Sequence, residues 1–136
     1  KSRELRYENI RSGLAEEGLL RLVLLDPALF AKADIQPEEF SSQLLGKTFR
    51  LLKDRHDRGL SVQLPALAGE FTSEEMSHLV EVQSQPQSLG HASEAMADYI
   101  KTIREEAAQR SAAPRSEEAL LALRKRQREK TMEDGQ

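Results

Sequence analysis

The chain has 136 residues, a net charge of −3, 32% charged, 38% hydrophobic and only 4% aromatic residues. That length fits one domain, and a composition rich in Leu and Ala favours helices over a β-sandwich or barrel and argues against disorder over most of the chain. With no cysteine, a disulfide framework, a thiolate metal site and a Cys nucleophile are all excluded.

The charge is uneven. Residues 14–90 carry seven basic and twelve acidic residues, whereas 110–130 carry seven basic and three acidic, so an acidic body is followed by a basic tip. The longest apolar stretch, Leu22 to Leu25 preceded by Leu19 and Leu20, is interrupted by Arg21 and is far shorter than the ~20 residues that span a bilayer. No signal peptide opens the chain, so no membrane partner and a cytoplasmic location are expected. Lys1 in place of Met suggests a fragment of a longer protein.

In chain order, Ser2 to Arg11 reads as a short charged helix stopped near Gly13. Glu16 to Leu25 is apolar on nearly all sides, a pattern that belongs at the centre of a bundle. Asp26-Pro27 reads as an N-cap followed by proline at the first helical position, opening a short helix with Leu29 and Phe30. Pro37 opens another turn, with Glu38 and Glu39 favourable at its N-terminus and Phe40 pointing inward. Ser41 or Ser42 caps a helix running to about Arg58. Leu44, Leu45, Thr48, Phe49, Leu51 and Leu52 form its buried side, and Gly59 follows its end.

Leu60 to Leu64 alternates but is too short to make a sheet alone, so it reads as an extended loop. Pro65 starts a short helix with Leu67 and Phe71. Thr72 to Glu75 is a capping signature for a helix to about Gln83, with Met76, Leu79, Val80 and Val82 as its stripe. The run QSQPQSLG (83–90) is the clearest break and suggests two parts, a bundle over 1–90 and a second unit over 91–136.

From His91 the apolar residues Ala92, Ala95, Met96, Tyr99, Ile100, Ile103 and Ala107 recur at three- and four-residue steps. This helix is expected to end near Arg110, with SAAPR (111–115) as a connector of the length that joins antiparallel helices. Ser116 to Glu118 caps a last helix through Leu123 and on into RKRQREK. The fold class expected is therefore all-α, a helical bundle followed by a C-terminal antiparallel helical hairpin. Leu120, Leu121 and Leu123 admit two readings: they pack on Ile100 and Ile103, or they are left exposed for a partner.

Few residues suggest chemistry. Asp54, His56 and Asp57 in DRHDRG lie at a helix end, but residues two apart point in different directions and do not converge as metal-binding helices require. A solvated last turn explains them. There is no glycine-rich phosphate loop, GxSxG or HExxH, so neither catalytic residues nor a cofactor is expected. RKRQREK lacks interleaved aromatics for base stacking, so direct nucleic-acid binding by it is disfavoured.

The ordered set LLRLVLLDPALF (19–30), IQPEEF (35–40), LLGKTFRLL (44–52), Gly59, VQLPALAGEF (62–71) and SEEM (73–76) resembles the C-terminal helicase-interaction domain of bacterial DnaG-type primases. The N-terminal domain of DnaB-type helicases is the nearest alternative. It is similar in fold and shares the LLDP and VxLxxLA-like stretches, but its pattern has glycine where this chain has Arg21, and the SEEMSHL segment is primase-like. It would also continue into an ATPase motor, whereas this chain ends in EDGQ.

The resemblance implies a monomeric, non-catalytic domain that docks primase onto the N-terminal domains of the hexameric replicative helicase and modulates helicase and priming activity at the fork. Primer synthesis, with zinc and magnesium, would belong to the parent protein. The expected contact surface is the outer side of the hairpin: Ile103, Arg104 and Ala107 on its first helix, and Leu120, Leu121, Arg124 and Gln127 on its second. A nucleic-acid-binding module using the basic terminal helix is the remaining alternative.

Overall fold

Side-chain caps set most of the helix starts in the computed structural model, which describes residues 7–112. Among these residues there are four α-helices and no strand: α1 (Ile10–Leu25), α2 (Gln43–Asp57), α3 (Ser73–Ser84) and α4 (Ala92–Ala112). Short 3-10 segments at Pro27–Lys32, Pro37–Glu39 and Leu64–Glu70 link them. The all-α expectation holds for these residues.

Asn9 caps α1, its side chain accepting from the Ser12 N–H at 3.0 Å. The helix then runs straight through Gly13 and Gly18, where a stop near Gly13 was expected. The reason is non-local. The Tyr7 ring lies over Gly13 and the Tyr99 ring over Gly18, so that a Cβ would fall 2.4 Å from Tyr7 Cδ2 and 2.3 Å from Tyr99 Cζ. Each glycine costs about 1 kcal/mol of helix propensity, offset by the ring packed against bare backbone. Leu19, Leu20, Leu22 and Val23 are at most 1% exposed, which makes α1 the core helix.

Asp26 ends α1 and starts the next turn. Its N–H donates to the Leu22 carbonyl at 2.9 Å, and its side chain accepts from the Ala28 N–H at 3.2 Å. At the second proline turn, the Gln36 N–H donates to Glu39 Oε2 at 2.8 Å, and Phe40 is buried against Phe49 with ring centroids 5.1 Å apart. Ser42 Oγ accepts from the Leu45 N–H at 3.1 Å to cap α2. Gly59 closes α2 with φ of 73°, the left-handed conformation that favours glycine after a helix.

Thr72 and Glu75 form a reciprocal box, Thr72 N–H to Glu75 Oε1 at 2.8 Å and Glu75 N–H to Thr72 Oγ1 at 3.1 Å. α3 buries His78, Leu79 and Val82. Val80, expected in that stripe, is 52% exposed because the buried face continues from 79 to 82 instead.

Beneath these caps sits one buried acidic side chain, Glu16, which is 0% exposed. Four donors converge on its two oxygens: Ser12 Oγ at 2.6 Å, Ser41 Oγ at 2.7 Å, and the N–H groups of Ser41 at 2.8 Å and Ser42 at 3.1 Å. They tie the middle of α1 to the corner that opens α2.

α4 packs chiefly on α1, and its Met96, Ile100 and Ile103 belong to the same core cluster as Leu19, Leu22, Phe49 and Leu79. Burying each such side chain stabilises the fold by roughly 1.5–3 kcal/mol. Residues 92–112 therefore share the core of the preceding helices, and the seam expected to face a hairpin partner faces α1. The expected second helix of the hairpin lies outside the described residues.

Candidate functional site

α4 presents its large apolar residues to α1, and the flank beside that stripe turns toward the 32–39 segment. Small residues at 97 and 108 and the Lys32–Asp34 segment beside them leave a groove of about 620 Å³, lined by Lys32, Ala97, Lys101, Arg104, Glu105 and Ala108 and reaching Ile100. Arg104 crosses it. Its Nε donates to Glu39 Oε1 at 3.0 Å, and Nη2 donates to the Asp34 carbonyl, so the head is turned toward the 34–39 corner while the aliphatic stem lies along the groove. Lys32 Nζ donates to Ser93 Oγ at 3.0 Å. Lys101 is exposed and has no partner among the described residues.

The other flank of α4 is clamped to the start of α1. Arg11 reaches Glu106 Oε2 at 2.7 Å and Glu105 Oε1 at 3.1 Å, and Asn9 Nδ2 donates to Glu106 Oε1 at 2.9 Å. The Asn9 hydrogen bond, then Arg11, hold the Glu106 carboxyl below its ordinary range. Glu106 and Glu105 in turn hold Arg11 protonated above its own. Asn9 is thus both the cap of α1 and a strut to α4.

The expected contact residues divide sharply. Arg104 lines the groove, with its side chain 44% exposed. Ala107 is half-buried on the neighbouring face. Ile103 is 0% exposed, so its placement on an outer surface is corrected: it is one of three core anchors of α4. Leu120, Leu121, Arg124 and Gln127 lie outside the described residues.

A second cluster escaped the sequence reading. Tyr7 Oη donates to Glu17 Oε2 at 2.5 Å and lies 2.7 Å from His78 Nε2. A phenol has one proton, so with it given to Glu17 the His78 Nε2 is the donor to Tyr7. Burial first, then Glu17, pushes the Tyr7 hydroxyl well above its ordinary pKa, keeping it a neutral phenol. Glu17 and His78 also line a hollow of about 470 Å³ with Leu14, Arg21, Glu81 and Val82. Nothing local in the sequence marks this cluster, whose members come from the chain entry, α1 and α3.

DRHDRG behaves as a solvated helix end. Lys53 pairs with Asp57 at 2.8 Å, Arg58 with Asp54 at 3.2 Å, and the His56 ring stacks on Phe30 at 5.2 Å between centroids. Among the described residues no group of three or more His, Cys, Asp or Glu is placed to hold a metal, and no helix is long and apolar enough to cross a membrane. Comparison with protein families, with curated proteins and with solved structures finds no match in any of the three.

Proposed function

We propose that this chain is the helicase-docking domain of a bacterial DnaG-type primase, binding the N-terminal domains of the hexameric replicative helicase through the outer face of α4 and the chain that follows it. The groove beside Arg104 is the observation that carries this reading. It offers what a docking surface needs: small residues that admit a partner's apolar side chain, and the exposed Lys101 at its edge to meet a carboxylate. The resemblance adds the partner's identity. Its motif residues fall at core and cap positions, with Leu19, Leu22, Leu45, Phe49 and Leu67 buried and Asp26 capping the turn that follows α1. In this reading the domain does no chemistry; it brings the polymerase domain of its parent protein to the fork.

Calorimetric titration of the full chain against the helicase N-terminal domains tests the reading. Ala108→Arg, which fills the groove from an exposed position, is expected to weaken binding by about tenfold or more, or ~1.4 kcal/mol, with the melting temperature unchanged. Wild-type affinity in that variant moves the surface off α4, and absence of binding by the full chain ends the helicase reading. A truncation arm must cut after Ala112, since removing 91–136 would take Met96, Ile100 and Ile103 out of the core. Single-strand DNA titrated at low and high salt addresses the basic-helix alternative, because phosphate contacts lose affinity steeply with salt.

A further inference from the structure

The Tyr7 cluster does not stop at Glu17. Glu17 Oε1 lies 3.6 Å from Arg21 Nη1 one helical turn on. Arg21 Nε donates to Gln87 Oε1 at 3.0 Å, and its Nη1 donates to the Val82 carbonyl at 3.3 Å. Gln87 Nε2 then donates to Tyr99 Oη at 3.3 Å, and the Tyr99 ring rests on Gly18 of the same α1. Six side chains, His78, Tyr7, Glu17, Arg21, Gln87 and Tyr99, thus form an unbroken polar chain from the point where the polypeptide enters, across α3 and α1, through the 85–91 connector, to α4. The Glu17 and Arg21 side chains in its middle are only 15% and 13% exposed, so their contacts are weakly screened and costly to leave unmade.

We propose that this polar chain is a coupling device: seating of Tyr7 on α1 and seating of the connector and α4 favour one another, so that whatever displaces Tyr7 loosens α4, and the reverse. The two-state element is the Tyr7 seat. When Tyr7 is docked, its hydroxyl orients Glu17, and Glu17 holds the Arg21 fork toward Gln87. When Tyr7 leaves, Glu17 and His78 lose their shared partner, and Arg21 is free to turn from Gln87 and collapse onto Glu17. That withdraws the support of Tyr99. Coupling of this kind is reciprocal by thermodynamic necessity. The inference goes beyond helicase docking and is independent of the partner's identity.

A double-mutant cycle on the full chain tests it. Tyr7→Phe keeps the ring over Gly13 and removes only the hydroxyl; Gln87→Ala removes the bridge to Tyr99. The two residues do not touch, so without a relay their effects on denaturant unfolding add. The relay predicts a departure from additivity of about threefold or more in the folding equilibrium constant. Amide exchange gives the second readout. Tyr7→Phe should speed exchange at residues 95–103 by about threefold or more relative to α2 amides. If Tyr7→Phe does not fold, Gln87→Ala read at residues 9–13 tests the same link in the other direction. Additive unfolding with exchange changes confined to the mutated end overturns the proposal, as does a uniform rise that includes α2.

Discussion

α1 and α4 pack against each other, yet they are held by different means. Nine of the 16 residues of α1 are buried, and α2, α3 and α4 all pack on it. Only three of the 21 residues of α4 are buried; beside them the Tyr99 ring rests on Gly18, and ion pairs flank the helix, Arg11 with Glu105 and Glu106 on one side and Arg104 with Glu39 on the other. A helix buried along most of its length chiefly specifies the fold. One whose buried residues form a single stripe keeps exposed positions beside it for something else, and the groove lies there, at Lys101 and Ala108.

The largest test of this contrast is a pair of core truncations. Leu22→Ala and Ile103→Ala each remove a fully buried side chain and are expected to cost about 2–5 kcal/mol in one shared unfolding transition, since both belong to one core. Two separate calorimetric transitions, with Ile103→Ala shifting only one, would break the picture of α4 as part of that core.

Next is Glu16→Gln, which sets an amide NH₂ among donors that need an acceptor. It should cost about 1–3 kcal/mol, visible as a lower urea midpoint at unchanged m-value. A neutral result would mean that the Ser41–Ser42 corner is held by other contacts.

The smallest effect belongs to the ionic flank. The Glu106 carboxyl is held below its ordinary value of 4.5, so its contribution is fully present above about that pH and is lost as pH falls through the lowered value. Melting temperature followed from pH 6 downward should therefore fall more steeply in the wild type than in Glu106→Gln. Parallel curves would remove this clamp from the account of how α4 is held.

What could be read from sequence was local. Asp26 with Pro27, Ser42, Gly59 and the Thr72–Glu75 box each act within four residues, so their chemistry announces itself in order along the chain. The buried stripe of α4 was equally legible, but periodicity says that a face is covered without saying by what; assigning Met96, Ile100 and Ile103 to a hairpin followed from reading QSQPQSLG as a division. That connector is instead strapped to α1 and α4 through Gln87. Glu16 and His78 were missed because their partners lie 25 and 71 residues away. Four of the seven expected contact residues, Leu120, Leu121, Arg124 and Gln127, rest on sequence alone.

The aromatic rings seated on Gly13 and Gly18 carry a consequence for how this protein can change over evolutionary time. A side chain added at 18 has room only if the one at 99 shrinks, and a smaller residue at 99 leaves a void that only a larger one at 18 fills. Positions 18 and 99, like 13 and 7, are inherited as pairs: a lineage that alters one member must alter the other, and correlated substitution at these sites would record the contact in the sequences themselves.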